Sequence, residues 1–235
     1  MVDEKVFQGF SKKAVTFLRQ LAKNNDREWF NEHKAEFDEQ VLAPARAFVA
    51  DMGARLRTIA PNINADPRIN KSLFRLNRDT RFSADKTPYK THLGIWMWEG
   101  EGKRMESSGF YFHLEPPDLM LGVGMHCLPK PFLPHFRDSI ADPKKGPALK
   151  KTLDQIGKDS RYQMQGPTFK KVPRGYDPQH KLADLLKHDG LTVFSTMPIP
   201  EELYGPELID FCFERYQDMA PLHRWMRAMA EGAAS

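Results

Sequence analysis

The sequence has few cysteines and no long apolar run. Its 235 residues include 2 cysteines, Cys127 and Cys212, and neither lies in a Cys-x-x-Cys motif. That spacing excludes a zinc knuckle. No apolar run approaches the roughly 18 residues that a membrane-spanning helix needs, and the N-terminal residues do not resemble a signal peptide. We therefore expect a cytoplasmic protein with reduced thiols and no membrane partner.

The net charge is also small, because 35 Lys and Arg residues stand against 31 Asp and Glu residues. Residues 68–90 hold 7 of the basic residues and 2 of the acidic ones, a net charge of +5. Because the whole chain carries only +4, everything outside this window sums to −1. A positive charge gathered in one segment predicts a site for an anion.

Apolar periodicity divides the chain into three regions. Residues 10–60 repeat apolar side chains at helical spacing, residues 68–126 alternate them as strands do, and residues 131–229 return to helices. Residues 69–76 are a further candidate strand. We predict a single α+β domain over residues 1–235, with an antiparallel meander of about four strands packed against N- and C-terminal helices.

The polar residues near position 25 predict where the second helix begins. Asn25 is expected to cap that helix, and Glu28, three residues later, has the spacing of its capping-box partner. Pro44 is expected to kink or restart the helix, because proline lacks a backbone N–H and clashes with the preceding turn.

The segment Arg78–Lys90 contains the densest group of candidate ligand residues. Guanidinium groups bind phosphate or carboxylate through paired hydrogen bonds, and lysine adds a mobile charge. One hypothesis is a loop that binds such an anion. The alternative is structural. In it, Asp79 and Asp85 pair with Arg78 and Arg81 and attach the loop to the helix at residues 26–39. The candidate ligand residues are Arg78, Arg81, Ser83, Lys86, Tyr89 and Lys90.

Three histidines lie on the predicted strands. If the strand registers align, His92, His113 and His126 project from the same face of three neighbouring strands. Three imidazoles could bind a metal ion. A loop longer by one residue would turn one strand over, so histidines without a ligand are the alternative, and we predict no particular metal or cofactor.

Two functions remain open beside a structural or interaction role. The first is an enzyme or binding protein for an anionic small molecule, with Tyr89, His113 or Glu28 as candidates for proton transfer. A carboxylate in the first turn of a helix, such as Glu28, more often interacts with the helix dipole. The second is a nucleic-acid-binding module in which Phe82, Tyr89 or Trp96 stacks on bases. The small net charge disfavours it, because such modules spread basic charge over a whole face.

Three motifs occur in order along the chain. They are Asn-Asn-Asp-Arg-Glu-Trp-Phe at residues 24–30, the segment Arg78–Lys90, and Pro-Arg-Gly-Tyr-Asp-Pro-Gln-His at residues 173–180. With these motifs the chain resembles a conserved bacterial and fungal family catalogued as a domain of unknown function. The resemblance runs from about residue 7 to the last helix. It implies one intact domain and brings no established reaction, cofactor or catalytic residue.

Overall fold

Six strands form one antiparallel sheet in the order β1-β2-β3-β4-β6-β5. The computed structural model describes residues 6–233. The predicted α+β class, with an antiparallel sheet and N- and C-terminal helices, is confirmed. The strands are β1 (Ile63–Asn64), β2 (Leu93–Glu99), β3 (Gly109–Glu115), β4 (Asp118–Met125), β5 (Gln163–Met164) and β6 (Leu191–Pro198).

The α-helices lie before β1 or after β4 in the sequence. The N-terminal group contains a five-residue π-helical turn, Asp38–Leu42, between its third and fourth α-helices. Within residues 6–233, no helix has the length and apolarity to cross a membrane. The α-helices are α1 (Lys12–Lys23), α2 (Arg27–Glu32), α3 (Lys34–Phe37), α4 (Ala43–Leu56), α5 (Leu133–Ala141), α6 (Lys145–Ile156), α7 (Ala183–Leu186) and α8 (Leu208–Ala233).

Capping explains where the first helices begin. The Ser11 side chain accepts a hydrogen bond from Ala14 N at 3.2 Å and so caps α1. The prediction for α2 is wrong by one residue, because Asp26 rather than Asn25 caps it, accepting from Trp29 N at 2.9 Å. Pro44 lies in the first turn of α4, directly after the π-helical turn Asp38–Leu42, and the chain is helical on both sides of it.

Strand prediction succeeds where alternation is long. In β3, Phe110, Phe112 and Leu114 are buried, while Tyr111 and His113 between them are half-buried. β1 and β5 have two residues each, too few to show alternation, and the sequence predicts neither. Residues 69–76 form isolated bridges, such as Leu73 with Ile95, instead of a strand.

The chain divides into two compact units, and the prediction of a single domain stays a prediction. Unit 1 comprises residues 6–97, 111–121 and 196–214. Unit 2 comprises residues 98–110, 122–195 and 215–233.

Aromatic side chains form much of the core of unit 1. Phe48 and Phe112, both fully buried, have ring centroids 4.8 Å apart. Phe10 stacks on Phe112 with 5.9 Å between ring centroids, and Phe7 meets Phe48 edge-on at 5.3 Å. Aromatic pairs at these separations add to the stabilisation from burial. β3 is therefore attached to the N-terminal helices through its inward-facing residues.

Unit 2 has a core of its own. The ring of Phe110 lies 5.4 Å from Tyr216 and 4.8 Å from His223, centroid to centroid. Phe136 of α5 meets Trp225 of α8 edge-on at 6.3 Å. The helix α8 thus contributes aromatic and imidazole side chains from several successive turns to this core.

Candidate functional site

The basic segment Arg78–Lys90 forms a loop whose two ends are joined by backbone hydrogen bonds. Arg78 N donates to Pro88 O at 2.8 Å, and Lys90 N donates to Leu76 O at 2.9 Å. The Asn25 side chain then donates to Tyr89 O at 2.9 Å and accepts from Tyr89 N at 3.0 Å. Asn25, which lies between α1 and α2, therefore attaches the end of the loop to the N-terminal helices and does not cap α2.

Both arginines named as anion ligands already have carboxylate partners within the loop. Arg78 pairs with Asp85 and with the Thr87 hydroxyl. Arg81 binds Asp79 through two hydrogen bonds, of 3.0 Å from Nε and 2.7 Å from Nη2. The hydrogen bond from Arg81 lowers the pKa of Asp79 to about 2. The carboxylate pairing that the structural alternative predicted is thus present.

The other candidates of this loop have separate surroundings. Lys86 Nζ donates to Thr80 O at 2.9 Å. Tyr89 is 6% exposed, with its ring 4.3 Å from that of Phe30. Ser83 is half-buried in the loop, and Lys90 Nζ lies 5.1 Å from the centre of the Phe74 ring. Glu28, the acidic candidate, is exposed in the first turn of α2.

A second group of polar residues comes together on the face of the sheet. His92, which directly precedes β2, and His113 on β3 have ring centroids 4.2 Å apart. Glu115 lies two residues after His113, so both side chains project from the same face of β3. Potential ligand atoms of these three residues all lie within 4.8 Å of one another. We call this group the His–His–Glu cluster.

Neighbouring hydroxyl groups orient two members of the cluster. The Tyr111 hydroxyl lies 3.0 Å from His113 Nδ1, which leaves Nε2 of that ring 3.3 Å from Glu115 Oε2. Thr91 donates a hydrogen bond to the other carboxylate oxygen, Oε1. Hydrogen bonds of this kind fix the orientation of metal-binding histidines and carboxylates in metalloproteins.

The protonation of the cluster suits a cation. Burial, with a contribution from His113, lowers the pKa of His92 to about 4, so His92 is neutral near pH 7. Burial raises the pKa of Glu115, but hydrogen bonds from Thr91 and His113 outweigh it and the net pKa is lowered. Neutral imidazole and ionised carboxylate are the forms that bind metal ions.

Aromatic side chains border the cluster on the same face. Phe74 meets Tyr111 edge-on at 6.1 Å, and Trp96 lies 6.3 Å from Tyr111. A Cβ atom at Gly94 would lie 3.0 Å from the Tyr111 hydroxyl and 3.2 Å from Phe74. Glycine at this position therefore leaves room for Tyr111 to reach His113.

The third predicted histidine does not belong to this cluster. His126 lies in unit 2, is exposed, and has its Nδ1 3.1 Å from Gln165 Oε1. Glu115 takes its place beside the other two histidines. The signal was available in the sequence, since His-x-Glu on a strand places both side chains on one face.

Unit 2 contains a buried hydrogen-bonded chain of serine, histidine and glutamate. The Ser108 hydroxyl lies 3.0 Å from His223 Nδ1, and His223 Nε2 lies 2.8 Å from Glu99 Oε2. Because a carboxylate only accepts, the neutral imidazole donates from Nε2 and accepts from the serine hydroxyl at Nδ1. Ser108 is 2% exposed and His223 0%, so no substrate can reach the hydroxyl in this conformation. We interpret this series of hydrogen bonds, from Ser108 through His223 to Glu99, as structural.

The free energy of unfolding is expected to fall on acidification below about pH 6.5, the usual pKa of histidine. Burial lowers the pKa of both His188 and His223, in the second case against a hydrogen bond to Glu99 that raises it. In this pH range the unfolded chain binds more protons than the folded chain, because the buried imidazoles stay neutral. The free energy of unfolding therefore rises with pH, by up to about 1.4 kcal/mol per pH unit for each histidine. Urea unfolding between about pH 7.5 and about pH 5.5 measures this slope. Stability that is unchanged or greater at the lower pH would contradict the prediction.

The structure is thus that of an α+β protein with the His–His–Glu cluster on one face of its sheet. The chain belongs to the family DUF2461, described as a conserved hypothetical protein, whose model matches residues 13–225. That match confirms the resemblance to a family of unknown function and spans the three motifs. Neither the curated proteins nor the solved structures contain a match to this chain.

Proposed function

We propose that the protein binds a divalent transition-metal ion at the His–His–Glu cluster. The observation that carries this proposal is the convergence of two imidazoles and one carboxylate within 4.8 Å. Two histidines and one carboxylate form a common metal site that leaves positions open for other ligands. The 3.3 Å between His113 Nε2 and Glu115 Oε2 also suits two ligands of one ion at bond lengths of about 2.0–2.2 Å.

In this proposal, the anion predicted for the basic segment binds next to the metal ion. Arg78 and Arg81 pair with carboxylates inside the loop, and Lys90 lies at the end of the segment that leads into the cluster. Burial, and after it the charges of His113 and Lys90, lower the pKa of His92, so Lys90 lies close to the cluster. An anion in an open coordination position would therefore be attracted by the metal ion and by Lys90.

Metal binding is expected to be lost in His113→Ala and weakened in Tyr111→Phe. The first change removes a ligand. The second removes only the hydroxyl that orients the His113 ring, and loss of such an outer partner costs roughly 10–100-fold in affinity. Titration of the chelator-treated protein with Zn²⁺, followed by calorimetry, and with Co²⁺, followed by visible absorption, measures both effects.

His126→Ala is the matched control, because His126 is an exposed histidine outside the cluster. We expect this variant to bind Zn²⁺ as the parent protein does. If the parent binds no metal ion at micromolar concentration, or if His126→Ala weakens binding as much as His113→Ala, the proposal fails.

A nucleic-acid function for the basic segment rests on one further observation. Phe82 is 95% exposed, and the Arg81 guanidinium lies 5.7 Å from the centre of its ring. An exposed aromatic ring beside an arginine is a typical surface for stacking on bases. Retention on immobilised single-stranded DNA at low salt, reduced in Phe82→Ala, would support this second candidate. Equal retention of the variant would exclude Phe82 as a stacking residue.

A further inference from the structure

The positive charge of the protein is unevenly divided between its two units. The described residues of unit 1 include 16 Lys and Arg and 17 Asp and Glu, whereas those of unit 2 include 18 and 12, for net charges of −1 and +6. Residues 130–187 alone hold 13 basic and 6 acidic residues. Charge asymmetry of this size within a chain is typical of proteins that bind polyanions.

A groove in unit 2 carries part of this charge, with five basic and three acidic residues in its lining. It consists of two adjoining cavities of about 760 and 420 Å³, and Lys151, Gln155 and Lys158 line both. Pro147, Lys150, Lys151, Asp154 and Gln155 line it at spacings of three and four residues on one face of α6, and Lys158 lies two residues after the helix ends. A helix of 12 residues is about 18 Å long.

The acidic residues of the groove are already paired. Asp154 binds Lys150 with a shortest distance of 2.5 Å, and Asp159 binds Arg161 at 2.7 Å. Asp218 accepts a hydrogen bond from the Tyr162 hydroxyl at 2.5 Å. Their negative charge is thus partly compensated inside the groove.

Three exposed lysines of the groove have no such partner. In the part of the chain that the structure describes, Lys151, Lys158 and Lys181 form no ion pair, and Lys158 donates only to Gln155, at 3.0 Å. Their ammonium groups are available to an external anion.

From this arrangement we propose that unit 2 binds the phosphate backbone of a single-stranded nucleic acid along this groove, through Lys151 on α6, Lys158 just after α6, and Lys181. This surface is separate in sequence from the His–His–Glu cluster and from Phe82. Lysines act as mobile point charges and suit contacts that do not depend on sequence. Pro221 lines the same groove and offers a half-buried apolar side chain to sugars or bases.

The shape of the groove favours an extended polyanion over two other partners. A single phosphate would need several donors directed at one point, but Arg161, the arginine of the groove, is bound to Asp159 through both Nε and Nη2. A membrane surface is flat and matches a concave groove less well than a narrow strand does. A nucleic-acid strand can lie along the groove and place successive phosphates beside the three lysines.

The test compares the full-length protein with the triple variant Lys151→Gln, Lys158→Gln, Lys181→Gln. Fluorescence anisotropy of a labelled single-stranded oligonucleotide measures the affinity at about 50 mM and about 200 mM salt. Three lysine–phosphate contacts to a single strand predict an affinity that falls roughly 20-fold between these concentrations. The variant should bind at least about tenfold more weakly at the lower salt concentration and should lose most of this salt dependence.

A matched triple variant in unit 1, Lys12→Gln, Lys13→Gln, Lys23→Gln, removes the same charge from exposed positions on α1. We expect it to bind as the parent does, and circular dichroism of both variants checks their folding. The proposal is overturned if the parent does not bind the oligonucleotide at low salt, or if both triple variants lose affinity equally. Binding to vesicles of anionic lipid without binding to the oligonucleotide would also overturn it.

Discussion

Replacement of His223 by alanine is expected to lower the free energy of unfolding by about 3–5 kcal/mol. The imidazole is fully buried and bonded at both nitrogens, to Ser108 and to Glu99. Alanine would remove the His223 hydrogen bond from the Glu99 carboxylate, which is 8% exposed. The Arg227 guanidinium, with Nε 3.7 Å from Glu99 Oε2, compensates part of this loss and places the expected value towards the lower end of the range. Urea unfolding followed by circular dichroism measures the change.

Two variants define the scale of this effect. Ser108→Ala removes one neutral hydrogen bond from the same chain of residues and is expected to cost about 1 kcal/mol. His126→Ala removes an exposed imidazole and is expected to change stability by less than about 0.5 kcal/mol. If His223→Ala were no more destabilising than His126→Ala, the buried hydrogen-bonded chain would not contribute to stability as the structure indicates.

Elements with long, regular patterns could be predicted from the sequence alone. β2, β3 and β4 alternate apolar residues over seven or eight positions, and all three form. The same period of two placed Tyr111, His113 and Glu115 on one face of β3, which is what the cluster requires. The short strands β1 and β5 depend on pairing with distant segments, and a local pattern cannot reveal such pairing.

Long-range hydrogen bonds explain why other residues could not be placed. Asn25 and Tyr89 are 64 positions apart, and Ser108 and His223 are 115 apart. Asn25 matched the pattern of a helix cap, but its side chain bonds the Tyr89 backbone, and the neighbouring Asp26 caps the helix. Local spacing identified residue types suited to hydrogen bonding, whereas the tertiary fold determined which partner each one has.

The sequence alone also could not show which basic residues are available to a ligand. The window at residues 68–90 was the obvious basic region because its 7 basic residues stand among only 2 acidic ones. Within that window, Arg78 and Arg81 proved to be paired with neighbouring aspartates. Residues 130–187 have a larger excess spread over more positions, and only the fold brings Lys151, Lys158 and Lys181 into one groove.

Replacement of Phe112 by alanine is expected to cost about 3–5 kcal/mol of unfolding free energy while leaving metal binding intact. Phe112 is fully buried against Phe48 and Phe10, and alanine would leave a cavity among these rings. Its neighbour on the strand, His113, projects from the opposite face and is half-buried in the His–His–Glu cluster. His113→Ala is therefore expected to abolish Zn²⁺ binding with a loss of stability below about 1.5 kcal/mol.

The two variants form a paired test of the sheet register, because a shift of one residue would exchange the roles of positions 112 and 113. Urea unfolding and Zn²⁺ titration are performed on both proteins below their unfolding midpoints. Phe112→Leu, which keeps an apolar side chain at the same position, should recover most of the stability. If Phe112→Ala lost Zn²⁺ affinity while folded, or if His113→Ala were the more destabilising change, the separation of a packed face from a metal-binding face on β3 would be wrong.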